Sequence, residues 1–266
     1  MDGGRWLVRF TERRQADLTL YCLPFAGGTA AFFRPWANLL PPWVDLCAVQ
    51  PPGRQDRWQE APHVALAPFV AELADRLATD LSGRPYALFG HSLGGLLAFE
   101  TARELRRRGL PQAELLGVSA RGAPHLPAPR DRLHLLPDEG LAAALVAIGG
   151  IPEEIRRESD LLAFLLPTVR ADLTLSETYQ YQEEPPLACP LSVFGGDADP
   201  LAAPDALHQW RRHSDGPVQI HLYPGHHFYI SDFLTAVVGA LATDLSGTAL
   251  SWARRGQASH SHRRVG

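Results

Sequence analysis

The stretch Tyr86-Ala87-Leu88-Phe89-Gly90-His91-Ser92-Leu93-Gly94-Gly95 sets one serine at the centre of G-x-S-x-G, between an apolar run and a helical pattern. A serine so placed sits on a sharp strand-to-helix turn, and small residues two before and two after it, Gly90 and Gly94, keep that turn free of clashes. The turn lifts the hydroxyl above a sheet edge and sets it at a helix N-terminus, where the dipole favours developing negative charge. Such a residue is equipped to attack a carbonyl carbon once a base takes its proton.

The partners are expected later in the chain, in the order nucleophile, acid, histidine. Leu191-Ser192-Val193-Phe194 followed by Gly195-Gly196-Asp197-Ala198-Asp199-Pro200 supplies a strand and a turn with two carboxylates. Asp199 is preferred, because G-x-x-D from Gly196 is the usual placement of the acid after its strand; Asp197 is the alternative, or a cap of the turn. For the base, Pro224-Gly225-His226-His227-Phe228 offers two histidines after the last strand, and His227, directly before the aromatic start of the final helix, is chosen. His221 lies inside the strand and is a poor candidate, while His91 points differently on the nucleophile turn and is expected to pack against neighbouring loops. Two backbone N–H donors must meet the oxyanion: Leu93, which follows the nucleophile, and Ala26 in Leu23-Pro24-Phe25-Ala26-Gly27-Gly28 after an early strand.

These groups need a scaffold. Strands are predicted at Trp6–Phe10, Leu18–Leu23, Val44–Gln50, Tyr86–Phe89, Leu115–Ala120, Leu191–Phe194 and Val218–Tyr223. Leu66, Phe69, Val70, Leu73 and Leu77 share one helical face, and further helices are predicted at Leu93–Arg108, Pro204–His213 and Phe228–Thr243. Alternation of strand and helix implies an α/β protein with a mostly parallel sheet covered on both faces. From Ala123 to Pro190 the alternation stops and only helical patterns remain, with Pro167 expected to kink or break one of them. An insertion of this kind suggests a lid over the edge of the sheet where ligands bind.

Composition narrows the function. Every basic residue is arginine, so Schiff-base and P-loop lysine chemistry cannot occur. Net charge is −4, and removing the four arginines of the last twenty residues, which hold no acid, leaves 21 Arg against 29 acids, or −8. An acidic body argues against nucleic-acid binding. The segment 247–266 is basic and rich in Ser and Gly and is expected to be disordered, with 1–246 forming the folded unit. Cys22, Cys47 and Cys189 are odd in number and widely spaced, which suits core packing and not a disulfide framework. No metal-ligand spacing and no G-x-G-x-x-G after the first strand occurs, so neither a metal nor a dinucleotide cofactor is expected. The N-terminus shows no apolar signal region, and no run of eighteen apolar residues exists, so a soluble, cytoplasmic protein without membrane attachment is expected, compatible with a monomer.

Several separate stretches resemble one family. They are Leu23-Pro24-Phe25-Ala26-Gly27-Gly28 with Phe32-Phe33 and Trp36, Val49-Gln50-Pro51-Pro52-Gly53-Arg54, the nucleophile turn Phe89–Gly95, Leu165-Leu166-Pro167 with Arg170-Ala171-Asp172, Cys189-Pro190, Phe194-Gly195-Gly196 with Asp199-Pro200, and the His226-His227-Phe228 loop. Together they resemble the type II, or discrete editing, thioesterases found beside polyketide synthases and nonribosomal peptide synthetases, over nearly the whole chain to about Leu245. One departure stands out: His226 replaces the glycine the family usually places there. The resemblance implies an α/β-hydrolase fold with a helical lid over about 123–190. It also implies hydrolysis of acyl groups from the phosphopantetheine arm of acyl or peptidyl carrier proteins, with no cofactor beyond the arm the partner carries. Ser92, Asp199 and His227 would form the triad. A carboxylesterase or lipase would need the same groups, and a non-catalytic binding module would need none of them. Carrier proteins being acidic, Arg130, Arg132, Arg156 and Arg157 are candidates for a docking patch, with solvated surface charge as the plain alternative.

Overall fold

The computed structural model describes residues 6–11, 13, 15–81, 83–127 and 132–261, with side chains as far as Thr248. Seven strands appear: β1 Leu7–Arg9, β2 Leu18–Leu23, β3 Val44–Val49, β4 Tyr86–His91, β5 Leu115–Ser119, β6 Leu191–Gly196 and β7 Val218–Tyr223. They form one sheet in the order β1-β3-β2-β4-β5-β6-β7, parallel except for β1, which pairs antiparallel with β3. Every residue of β2, β3, β4, β5 and β6 is buried, which explains why these strands read as continuous apolar runs and not as alternating ones.

Helices pack on both faces. Leu66–Asp80 is α1, Leu93–Arg107 is α2, and Asp138–Ala147, Glu153–Arg157 and Ser159–Glu177 are α3, α4 and α5; Pro204–His208, Tyr229–Asp232 and Leu234–Ser261 are α6, α7 and α8. One core layer joins Phe69, Leu73 and Leu77 of α1 and Leu97 of α2 to the sheet, and the other joins Val237, Leu241 and Leu245 of α8 to Phe89, Leu115 and Phe194. The free cysteines Cys22, Cys47 and Cys189 are all buried, and burial raises each thiol well above its ordinary value, so they act as small apolar core groups. No helix among the described residues is long and apolar enough to cross a membrane.

α5 runs unbroken through Pro167, so the proline does not end it. The backbone from Gly247 to Ser261, expected to be disordered, continues α8; its Ala, Leu and Arg residues are strong helix formers, and Gly247 makes no stop without a cap beyond it. Residues 262–266 lie outside the described residues.

His213, beside α6, is buried against Trp210, Phe99, Tyr181 and His125. Burial, then the neighbouring His125, Arg212 and Arg103, lower it from 6.5 to about 4. The unfolded chain therefore binds a proton that the folded chain refuses between these values. Folding stability falls as pH drops below about 6.5, by roughly 3 kcal/mol at full extent for this group. Buried His91, also lowered, acts in the same direction. Urea unfolding at pH 7.5 and pH 5 should show a lower midpoint in acid, and His213→Gln should flatten that dependence.

Candidate active site

The four elements that must carry chemistry all end at the C-terminal edge of the parallel strands: β2 runs into the Ala26 loop, β4 into Ser92, β6 into Asp199 and β7 into His227. That edge is where ligands meet open α/β sheets. Ser92 holds φ 55 and ψ −116, a conformation costly for a side-chain-bearing residue. The packing around it shows what enforces the turn. A Cβ on Gly90 would sit 2.0 Å from the Gly94 carbonyl oxygen, and one on Gly94 would sit 2.1 Å from the Leu23 carbonyl oxygen. Only glycine lets β4, the first turn of α2 and the end of β2 come this close.

The two late loops interlock by similar means. A Cβ on Gly196 would lie 2.3 Å from the Gly225 carbonyl oxygen. Ala198 N–H donates to Gly225 O at 3.0 Å, and Gly225 N–H donates to Asp197 Oδ1 at 3.0 Å. Asp197 is exposed and serves as a cap of this junction. Asp199 is 3 % exposed; its Oδ1 accepts from Leu201 N–H at 2.9 Å and its Oδ2 lies 2.8 Å from His227 Nδ1. On its other side His227 Nε2 lies 2.9 Å from Ser92 Oγ. A carboxylate can only accept, so Nδ1 carries the proton and Nε2 is left to accept from the serine hydroxyl. His226, by contrast, is exposed and its Nδ1 meets Ala198 O at 2.9 Å. Ser92, His227 and Asp199 are thus brought together, and Asp197 and His226 are not.

His91 lies wholly buried beneath this line, its ring centroid 5.4 Å from that of His227. Its Nδ1 lies 2.8 Å from Ser119 Oγ, which lies 2.7 Å from the Tyr229 hydroxyl. Burial, then the charge of His227, hold it well below the ordinary histidine value, so it is a neutral floor to the site. His221 sits in β7 with its Nε2 2.8 Å from Asp244 Oδ2, and Ser192 Oγ donates to the same oxygen at 2.6 Å. Serine and histidine there both meet the carboxylate and not each other, so this second Ser, His and Asp set forms no relay.

Leu93 opens α2, where N–H groups lack intrahelical acceptors, and the Ala26 N–H has no hydrogen-bond partner among the described residues. Ala26 lines a cavity of about 520 Å³ that Ser92 and His227 also line, and Leu93 directly follows Ser92. The far wall of the cavity is apolar and comes from the insertion between β5 and β6: Leu145 of α3 and Ile148 just past its end, with Leu162, Leu166 and Val169 of α5. Arg121, to which the sequence reading gave no role, also lines it and donates to Ser176 Oγ at 2.6 Å. Burial lowers its guanidinium to about 10, so it stays a cation at neutral pH.

Of the four arginines expected to form a docking patch, Arg130 lies outside the described residues. Arg156 and Arg157 each lie near Glu153, at 3.3 and 3.5 Å, which offsets part of their charge.

Comparison with known proteins places these features in context. The thioesterase domain family matches residues 18–245. Linear gramicidin dehydrogenase LgrE of Brevibacillus parabrevis is 39 % identical over 85 % of this chain and 87 % of its own length. Thioesterase PikA5 of Streptomyces venezuelae is 40 % identical over 87 % of this chain and 82 % of its own. Among solved structures, the type II thioesterase BorB from the borrelidin biosynthetic cluster superimposes with a TM-score of 0.80 at 39 % identity, covering 90 % of this chain and 97 % of that one.

Proposed function

The chain belongs to the thioesterase domain family, and on that premise we propose that it hydrolyses acyl thioesters held on the phosphopantetheine arm of acyl or peptidyl carrier proteins, clearing stalled or wrong acyl groups from a biosynthetic assembly line. The observation that carries the chemistry is the unbroken line Ser92 Oγ–His227–Asp199, with contacts of 2.9 and 2.8 Å. Ser92 attacks the thioester carbonyl as its proton passes to His227 Nε2. The oxyanion of the tetrahedral intermediate is met by the N–H groups of Ala26 and Leu93. Collapse breaks the carbon–sulfur bond, the pantetheine thiol leaves with the proton from His227, and an acyl-enzyme remains. Water deprotonated by His227 then attacks the ester, and the free acid departs. Asp199 keeps the imidazole in its working tautomer and stabilises the imidazolium. The apolar wall from α3 and α5 acts as a lid that takes the acyl chain.

The relative named a dehydrogenase does not redirect this proposal. The turn after β2 reads Leu23-Pro24-Phe25-Ala26-Gly27-Gly28, which lacks the G-x-G-x-x-G spacing of dinucleotide binding.

Removing the acid should be costly in a defined way. Asp199→Asn is expected to lower kcat by roughly 10⁴-fold, because the amide can donate to the ring and favour the wrong tautomer. Asp197→Asn should stay within a few-fold of wild type, and steady-state kinetics on one acyl thioester checks both. To separate carrier thioester from ester chemistry, kcat/KM for a butyryl carrier protein is compared with that for an oxygen ester of the same acid. At least a tenfold preference for the carrier is expected; a preference for the ester would make the protein a carboxylesterase.

A further inference from the structure

The glycine loop that carries Ala26 is gripped from outside. Gly27 N–H donates to Asp172 Oδ2 at 2.7 Å, and Gly28 O accepts from Arg54 Nη1 at 3.1 Å. The two gripping side chains are themselves joined: Arg54 Nη1 meets Asp172 Oδ2 at 2.6 Å and Arg54 Nη2 meets Asp172 Oδ1 at 2.8 Å, with side chains only 7 % and 4 % exposed. Arg54 Nε also donates to Pro52 O at 3.2 Å, which fixes the fork to the turn after β3. Asp172 stands on α5, a helix that also walls the acyl cavity. Gly27 has φ +77, and a Cβ there would lie 2.6 Å from Val169 Cγ2 of the same helix. The loop is therefore pressed against α5, yet its two glycines give it little stiffness of its own.

We propose that Arg54 and Asp172 are positioning residues for acyl transfer: together they fix the peptide planes of Gly27 and Gly28, and through them hold the Ala26 N–H aligned with the Leu93 N–H, coupling the oxyanion site to helix α5. This rests on Ser92 being the nucleophile. Stability alone is a poor explanation for such a pair, since a buried ion pair replaced by apolar groups of similar volume often costs nothing. Preorganised donors, in contrast, lose their effect if displaced, and one donor is worth about 10²- to 10³-fold in kcat. Arg54 and Asp172 touch no reacting atom; they act through the loop.

The test uses the full-length protein with a butyryl thioester of N-acetylcysteamine and with p-nitrophenyl butyrate. Arg54→Met is expected to lower kcat by about 30- to 100-fold on both substrates while KM stays within about threefold. Butylboronic acid, which forms a tetrahedral adduct on a nucleophilic serine, should lose affinity in the same proportion as kcat/KM, whereas inhibition by butyrate should hold. Arg54→Lys keeps a cation beside Asp172 without the fork and should recover part of kcat. The double variant Arg54→Met with Asp172→Leu leaves no unpaired buried charge, so it separates misfolding from misplacement, and it should show the same kcat loss. A folded single or double variant with kcat within threefold of wild type, or a loss confined to KM, would overturn the proposal. Turnover of both substrates left unchanged by Ser92→Ala would instead defeat the nucleophile assignment itself.

Discussion

Ser92→Ala is expected to lower kcat/KM by roughly 10⁵-fold, with unfolding free energy changed by less than about 1 kcal/mol. The first expectation follows from the absence of any second hydroxyl on His227 Nε2: Ser92 Oγ at 2.9 Å is its hydrogen-bond partner among the described residues. Without that oxygen no acyl-enzyme can form, and what remains is whatever the two N–H donors and the cavity do for direct attack by water. The second follows from the backbone. The strained φ of 55 at this position is set by Gly90, Gly94 and the strand ends, and alanine meets the same conformational cost as serine. Kinetics on an acyl thioester, paired with urea unfolding, measures both. A variant that keeps a few per cent of wild-type rate would show that another group attacks the carbonyl.

The second large effect separates two adjacent residues. His227→Ala should lower kcat by about as much as Ser92→Ala, because nucleophile and base act as one unit and the loss of either removes the same step. His226→Ala should remain within a few-fold, since among the described residues its ring hydrogen-bonds only the Ala198 carbonyl, at the exposed side of the loop. Fluorophosphonate labelling gives an independent readout. His226→Ala should label at the wild-type rate, and His227→Ala should label slowly although its serine is intact. Equal losses in the two variants would mean that the loop adopts a different register when substrate binds.

Much of this arrangement could be read from residue order. Fully buried strands announce themselves as apolar runs, and β2, β3, β4, β5 and β6 fall within two residues of where those runs predict them. The nucleophile turn was legible because glycine is demanded at two fixed offsets, and the structure shows backbone atoms about 2 Å from where a Cβ would stand. Choosing between Asp197 and Asp199, or His226 and His227, was a different kind of problem. Either carboxylate could follow the strand, and it takes the interlocking of Gly196 with Gly225 to point one at the imidazole and leave the other as a cap. Least legible was the Arg54–Asp172 pair. Both residues stood in stretches that looked distinctive, but they lie 118 positions apart, and pairing at that range depends on how α5 folds back over the sheet edge. The continuation of α8 past Gly247 was missed for a local reason, because a Ser- and Gly-rich basic composition masked residues that favour helix.

The most direct measurement is rapid-quench mass spectrometry of the protein mixed with excess butyryl carrier protein, followed by peptide mapping. A butyryl group covalently bound to Ser92, forming before free butyrate accumulates and decaying as substrate is consumed, is the predicted result. Release of butyrate at the full steady-state rate with no acyl group ever found on Ser92 would contradict it.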